Sequence, residues 1–192
     1  MAGGATLPGK LAGWMSALAI SPDGSLVATA DGGRHRIYLL GAEGGALRAT
    51  FEGHRGMIFR MAFSPGGEWL ASAAADQTVR LWPVRGKPPP VPELRGHTDQ
   101  VTDLAFGATR TQLATVSRDG TARLWPLEVA PLKESDWLIP DGATGAITGR
   151  LNGHMDIVYQ CEWSPDGRTL ASMSNDRTLR CRASITQSTS AS

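Results

Sequence analysis

Short apolar runs, set apart by turns rich in glycine and proline, make up most of this chain. The runs predict strands near residues 58–63, 69–74 and 79–82, again near 101–106, 112–116 and 122–125, and again near 157–163, 169–173 and 178–181. Between the first two strands of a set stand Ser64-Pro65-Gly66-Gly67 and Ser164-Pro165-Asp166-Gly167, with Ser21-Pro22-Asp23-Gly24 earlier in the chain. Proline pre-sets φ for such a turn and glycine supplies φ > 0. Pro83 and Pro126 follow a strand-ending Trp and, lacking an N–H, stop the pairing there. The pattern predicts an all-β chain. The apolar stretch 11–20 has the look of a short signal sequence, but it leads straight into the turn at residue 21 and reads better as a strand. No run approaches the ~18 apolar residues of a membrane-spanning helix.

The sets are copies of one unit. Gly53-His54, Gly96-His97 and Gly153-His154 are each followed, 22 residues after the His, by Asp76, Asp119 and Asp176. The matched runs Trp69-Leu70-Ala71-Ser72, Gln112-Leu113-Ala114-Thr115 and Thr169-Leu170-Ala171-Ser172 fall between them. The first two of these units step by 43 residues, and a period of that size signals a solenoid, propeller or array. A weaker unit precedes them. Leu7-Pro8-Gly9-Lys10 stands where the others carry Leu-x-Gly-His, Leu40 takes the Trp position, and no Asp matches. The units divide as 7–50, 51–93, 94–150 with a long insertion at 126–145, and an incomplete 151–182. The tail 183–192 is small, polar and predicted disordered.

Gly-His, the Ser-Pro turn, Leu-Ala-Ser and Asp76-Gln77-Thr78-Val79-Arg80-Leu81-Trp82 together resemble the WD-repeat family of β-propellers. The resemblance covers roughly residues 7–180. It implies about four four-stranded antiparallel blades, a small or partial propeller. It implies that the scrap 5–7 pairs into the last blade as a ring-closing strand. It also implies a structural role for three sets of residues: His54, Ser72, Asp76, Trp82; His97, Thr115, Asp119, Trp125; and His154, Ser172, Asp176, with Arg182 in the Trp position. In the family these form a hydrogen-bonded chain from carboxylate to imidazole to hydroxyl to indole. Read alone, Ser-His-Asp suggests a hydrolase triad. Against that, the set recurs, Thr replaces Ser freely, and no nucleophile-elbow pattern accompanies it. No catalytic residue is therefore expected.

Composition narrows the remaining choices. With 19 basic and 18 acidic residues and no basic run, nucleic acid is a poor partner. Cys161 and Cys181 are expected on the first and third strands of one blade, ~9.5 Å apart at two strand spacings. A disulfide needs Cα atoms within ~7 Å, so both read as free thiols, in keeping with a reducing, cytoplasmic setting. His35 stands alone, and no Cys-x-x-Cys or His-x-x-x-His spacing occurs. No metal site and no cofactor are expected. The glycine pairs 32–33 and 44–45 fit no phosphate loop.

By the same resemblance, a partner meets the residues one, three and five places after each His and the residue before each Asp. These are Arg55, Met57, Phe59 and Ala75; Thr98, Gln100, Thr102 and Arg118; Met155, Ile157, Tyr159 and Asn175. Trp14 and Ser16 are their counterparts in the first unit. The apolar members form an exposed docking patch or are in part packed between blades. Trp137 in the insertion is a further contact point or part of a local lid. The expected function is a non-catalytic scaffold binding a peptide or protein segment. The alternatives are a remnant of a larger WD-repeat protein and a propeller-hosted hydrolase. Four blades close alone, pair as a homodimer into an eight-bladed ring, or need further sequence.

Overall fold

In the computed structural model of the chain, residues 14–85, 93–108, 112–127, 149–151 and 153–183 are described. The scrap 5–7, nearly all of the 126–145 insertion with Trp137, and the tail beyond residue 183 lie outside them. Every described element is a strand. The first sheet holds β1 (Met15–Ile20), β2 (Leu26–Asp31), β3 (Ile37–Gly41) and β4 (Leu47–Phe51). The second holds β5 (Ile58–Phe63), β6 (Trp69–Ala74), β7 (Val79–Pro83) and β8 (Glu93–Leu94). The third holds β9 (Val101–Phe106), β10 (Gln112–Ser117), β11 (Ala122–Pro126) and β12 (Gly149–Leu151). The fourth holds β13 (Val158–Trp163), β14 (Thr169–Ser174) and β15 (Leu179–Ala183). Each sheet is an antiparallel meander of neighbours in chain order.

The turns between first and second strands share one mechanism. Gly24, Gly67 and Gly167 take φ of 70°, 75° and 68°, and each donates its N–H to the carbonyl of the turn's Ser at 2.8 Å. The Ser hydroxyl then accepts the first N–H of the next strand, at 2.9 Å for Leu26, 3.1 Å for Trp69 and 2.9 Å for Thr169. In the first turn the Ser21 hydroxyl, then the Ser25 N–H and hydroxyl, hold the Asp23 carboxyl down at about 2. Pro83 and Pro126 are the last paired residues of β7 and β11, opposite Trp69 and Gln112. Pairing thus runs through each proline and ends on it.

The innermost strand of every sheet carries an irregularity at its second residue. The register skips Ser16, Phe59, Thr102 and Tyr159. A bulge of this kind leaves one residue unpaired and re-aims its side chain. These four are among the positions that the family resemblance implied for the docking face.

The core lies between sheets. Positions one, four and six of an inner strand meet the second and third strands of the sheet before it. Ile58, Met61 and Phe63 join Ala28, Ala30, Ile37 and Leu39. Val101 and Leu104 join Ala71, Ala73, Val79 and Leu81. Val158, Cys161 and Trp163 join Ala114, Val116, Ala122 and Leu124. Burial of such side chains contributes about 1.5–3 kcal/mol each for the larger ones, so a blade is stabilised mainly by its neighbours. The inner strands β1, β5, β9 and β13 lie side by side in that order, and no comparable contact joins β13 back to β1. The four sheets form an open arc of a propeller.

The first unit is better formed than its sequence suggests. It has all four strands, and Asp31 is fully buried. Its carboxylate caps the β2–β3 turn, accepting the N–H groups of Gly33 at 2.8 Å and Arg34 at 3.0 Å. His35, at φ 58°, completes that turn as Gln77 and Arg177 do in the later units.

Candidate functional site: the Gly-His loops and their buried supports

The described residues bring His, hydroxyl, Asp and Trp together in two sheets. His54 Nδ1 donates to Asp76 Oδ2 at 2.9 Å, and Nε2 accepts from the Ser72 hydroxyl at 2.7 Å. Ser72 Oγ in turn accepts the Trp82 indole N–H at 2.8 Å. His97 repeats this with Asp119 at 2.9 Å and Thr115 at 2.8 Å, and Trp125 donates to Thr115 at 2.8 Å. His154 holds Asp176 at 3.0 Å and Ser172 at 2.9 Å, while exposed Arg182 leaves that chain without its indole. The network assigns the tautomer: only an imidazole with its proton on Nδ1 donates to the carboxylate and accepts from the hydroxyl.

Each Asp does more than hold its His. Asp76 Oδ2 accepts the Arg55 N–H at 2.8 Å, and its Oδ1 accepts the Thr78 N–H at 3.1 Å and hydroxyl at 2.7 Å. Asp119 does the same with Thr98 and Thr121, and Asp176 with Met155 and Thr178. Burial opposes ionisation of Asp76 and Asp119, but the donated hydrogen bonds outweigh it and hold both carboxyls well below the usual range. The Thr178 hydroxyl is the main cause of the same downward shift at Asp176. The Thr two places after each Asp recurs at 78, 121 and 178, but the sequence pattern alone assigns it no role.

The glycine before each His has a physical reason. Gly53, Gly96 and Gly153 take φ of 154°, 151° and 135°. A Cβ there would stand 2.8, 2.6 and 2.6 Å from the guanidinium of Arg80, Arg123 and Arg180. Arg80 lies over the Gly-His backbone, paired with Glu93 at 3.1 Å.

The order Asp, His, Ser with these distances is also that of a hydrolase triad. Here Ser72 and Thr115 are fully buried and their oxygens are already taken by an indole N–H. No substrate reaches them, so the arrangement pins the loop to the blade. Among the described residues, no group of three or more His, Cys, Asp or Glu is placed to hold a metal ion.

The proposed contact residues divide by exposure. Trp14, Arg55, Thr98, Arg118, Met155, Tyr159 and Asn175 are exposed, Met155 at 92%. Ser16, Met57, Phe59, Ala75, Gln100, Thr102 and Ile157 are half-buried. Thr102 spends its hydroxyl on the Val116 carbonyl at 3.2 Å and on the Val158 carbonyl of the next blade at 2.5 Å. Asn175 donates to Asp156 at 2.7 Å. Trp14 lies against Gly32, where a Cβ would come within 2.8 Å of the indole. The apolar exposure therefore sits at the ends of the arc, on the first and fourth blades.

One linkage had no sequence signal. Asp103, buried on β9, pairs with Arg60 of the second blade at 3.1 Å and accepts the Cys161 N–H of the fourth at 2.9 Å. Burial pushes its carboxyl up despite both contacts. Burial likewise pushes the Cys161 thiol up. Cys161 and Cys181 are both free, on the first and third strands of their sheet.

The profile of the WD domain, G-beta repeat, matches four times, at residues 4–38, 45–83, 88–126 and 145–181. The chain belongs to the WD-repeat family. A target of rapamycin complex subunit, wat1, from Schizosaccharomyces pombe is 37% identical over 68 residues, 35% of this chain and 22% of that protein. The small ribosomal subunit protein RACK1 of Glycine max is 38% identical over 77 residues, 39% of this chain and 22% of its own length. Human WD repeat-containing protein 36 is 48% identical over 46 residues, 24% of this chain and 5% of that protein. The matched stretches thus span from 5% to 22% of the length of these relatives. No helix among the described residues is long and apolar enough to cross a membrane.

Proposed function

We propose that this WD-repeat chain is a non-catalytic interaction scaffold that docks a peptide or protein segment on its Gly-His loop face. The observation that carries the reading is the way the loops are held. Asp76, Asp119 and Asp176 each fix the N–H of the residue after the His. The side chains of Arg55, Thr98 and Met155 at those positions are left exposed. A rigid backbone with free side chains loses little entropy on binding. The exposed set, with Trp14, Met155 and Tyr159 beside Arg55, Arg118 and Asn175, has the aromatic, Met and Arg character of interface hot spots. Names of the relatives agree with membership in assemblies, one being a subunit of a target of rapamycin complex and another a small ribosomal subunit protein.

The test is selection from a random peptide library displayed on phage, followed by affinity measurement on single clones. The expected result is clones that lose tenfold or more in affinity to Met155→Ala and Tyr159→Ala, with Arg168→Ala as an unaffected control. Clones that bind all variants equally, or no enrichment at all, count against the loop face. A second reading, that the arc is part of a larger ring, is favoured by the open ends and by the short span of each relative that the chain matches.

A further inference from the structure

We infer that Thr102 and Asp103 are positioning residues of the loop face: together they clamp the bulge that presents Tyr159, without being docking contacts themselves. The clamp rests on the docking proposed above for its purpose, though not for its geometry.

Tyr159 needs such a device. The ladder between β13 and β14 pairs Val158 with Ser174 and Gln160 with Met173, and passes over Tyr159. A bulged residue has no ladder partner, and small changes in its backbone re-aim the side chain. β13 is also the inner edge of its sheet, so part of its backbone N–H and C=O groups face away from β14. Tyr159 is 45% exposed, so packing holds it only in part. Bonds to the backbone on either side of the bulge are what fix its direction.

The neighbouring blade supplies both bonds from two adjacent residues of β9. The Thr102 hydroxyl donates to the Val158 carbonyl at 2.5 Å, nearer than the Val116 carbonyl of its own blade at 3.2 Å. A hydroxyl has one proton to give, and the nearer carbonyl takes it. Asp103 Oδ2 accepts the Cys161 N–H at 2.9 Å. The two bonds bracket Tyr159 and Gln160. Asp103 is itself held from the other side, its Oδ1 pairing with Arg60 of β5 at 3.1 Å, and it is buried beyond a partner's reach.

The other described junctions lack the means for this. At the positions of Thr102 and Asp103, β1 carries Ser16 and Ala17, and β5 carries Phe59 and Arg60. The Ser16 hydroxyl donates to the Ala30 carbonyl of its own blade at 3.4 Å, and Ala17 has no side-chain acceptor. Phe59 has no donor, and Arg60 has donors only. A side chain already held in its bound direction loses less entropy when a partner arrives. Thr102, which the family resemblance implied as a contact, thus acts through its neighbour Tyr159.

The experiment reads Tyr159 directly. The chain holds two tyrosines, Tyr38 and Tyr159, so fluorotyrosine incorporation gives the full chain two fluorine NMR lines, assigned with Tyr159→Phe. Tyr38, on β3 of the first blade, reports the fold as a whole. Thr102→Val and Asp103→Leu should each shift or broaden the Tyr159 line and leave the Tyr38 line in place. Thr102→Ser and Asp103→Asn, which keep the donor and the acceptor, should return the parent line. In peptide clones that depend on Tyr159, Thr102→Val should lower affinity about threefold to tenfold, the worth of one hydrogen bond. It should lower affinity no further once Tyr159→Ala is present. A Tyr159 line unchanged in both Thr102→Val and Asp103→Leu overturns the inference. So does a shift of both tyrosine lines together, which would make the pair a general structural tie. A loss that persists in full on the Tyr159→Ala background also overturns it, because Thr102 would then meet the partner itself. The expected NMR changes with no clone dependent on Tyr159 would support the clamp and count against the loop face alone.

Discussion

The hydrogen bonds of single side chains decide what each substitution does. Asp76 receives the His54 and Arg55 N–H groups and both donors of Thr78. Asp76→Ala leaves four donors without that acceptor, and hydrogen bonds to a charged group contribute about 1.5–3 kcal/mol. We expect a loss of about 2–3 kcal/mol in denaturant unfolding, while Ser72→Thr is nearly neutral because Thr115 already fills that place in the next blade. The sign of the pH effect follows from the carboxyls. Asp76 and Asp119 ionise more readily folded than unfolded, so their contribution is complete above the unfolded value of ~3.9 and is lost as pH falls below it. Denaturation midpoints measured from pH 6 downward should fall more steeply for the parent chain than for Asp76→Ala. Asp103 runs the other way. Burial raises its carboxyl, so its charge is disfavoured in the folded state at neutral pH. Asp103→Asn keeps an acceptor for the Cys161 N–H and frees a half-exposed Arg60. It should be neutral to mildly stabilising at pH 7, whereas Asp103→Leu orphans the Cys161 N–H and costs about 1–3 kcal/mol. An Asn variant as damaging as the Leu variant would refute this account.

Elements were legible in the sequence where the signal is local. Strand positions follow from apolar runs and from Ser-Pro-x-Gly turns, and they agree with the structure to within one or two residues, as at β13, which starts at Val158 where the runs suggested 157. The residues of the carboxylate-to-indole chains stand out because they recur, and recurrence is a sequence property; that they bond to one another was what the family resemblance implied. The bulges at Ser16, Phe59, Thr102 and Tyr159 were not, because register is a relation between two strands. The link from Asp103 to Cys161, 58 residues apart, was invisible for the same reason: it depends on which blades become neighbours. The Asp31 cap was missed because it stands outside the repeat pattern. One prediction belongs to this scale. Gly53→Ala places a Cβ at φ 154° and 2.8 Å from the Arg80 guanidinium. The arginine is the flexible partner and gives way, losing its pairing with Glu93. The cost is about 1–2 kcal/mol from the backbone and the lost contact. In Gly53→Ala combined with Arg80→Ala, the two losses should be less than additive, because the steric part of the first disappears. Full additivity would mean that the arginine is not what the glycine makes room for.

At the scale of the molecule, stability is distributed by neighbours. A blade cannot bury both faces alone, so an arc behaves as a row of units coupled at their junctions. The second and third blades have junctions on both sides, the first and fourth on one. The fourth also has three strands among the described residues, and lacks the indole that Trp82 and Trp125 supply elsewhere. Local opening should therefore begin there. In native-state hydrogen exchange, the amides of β14 and β15 should exchange first, those of β2 and β3 next, and those of β6, β7 and β10 last. Uniform exchange across all four blades would instead mean that the arc opens as a single cooperative unit, which the separate inter-blade clusters argue against.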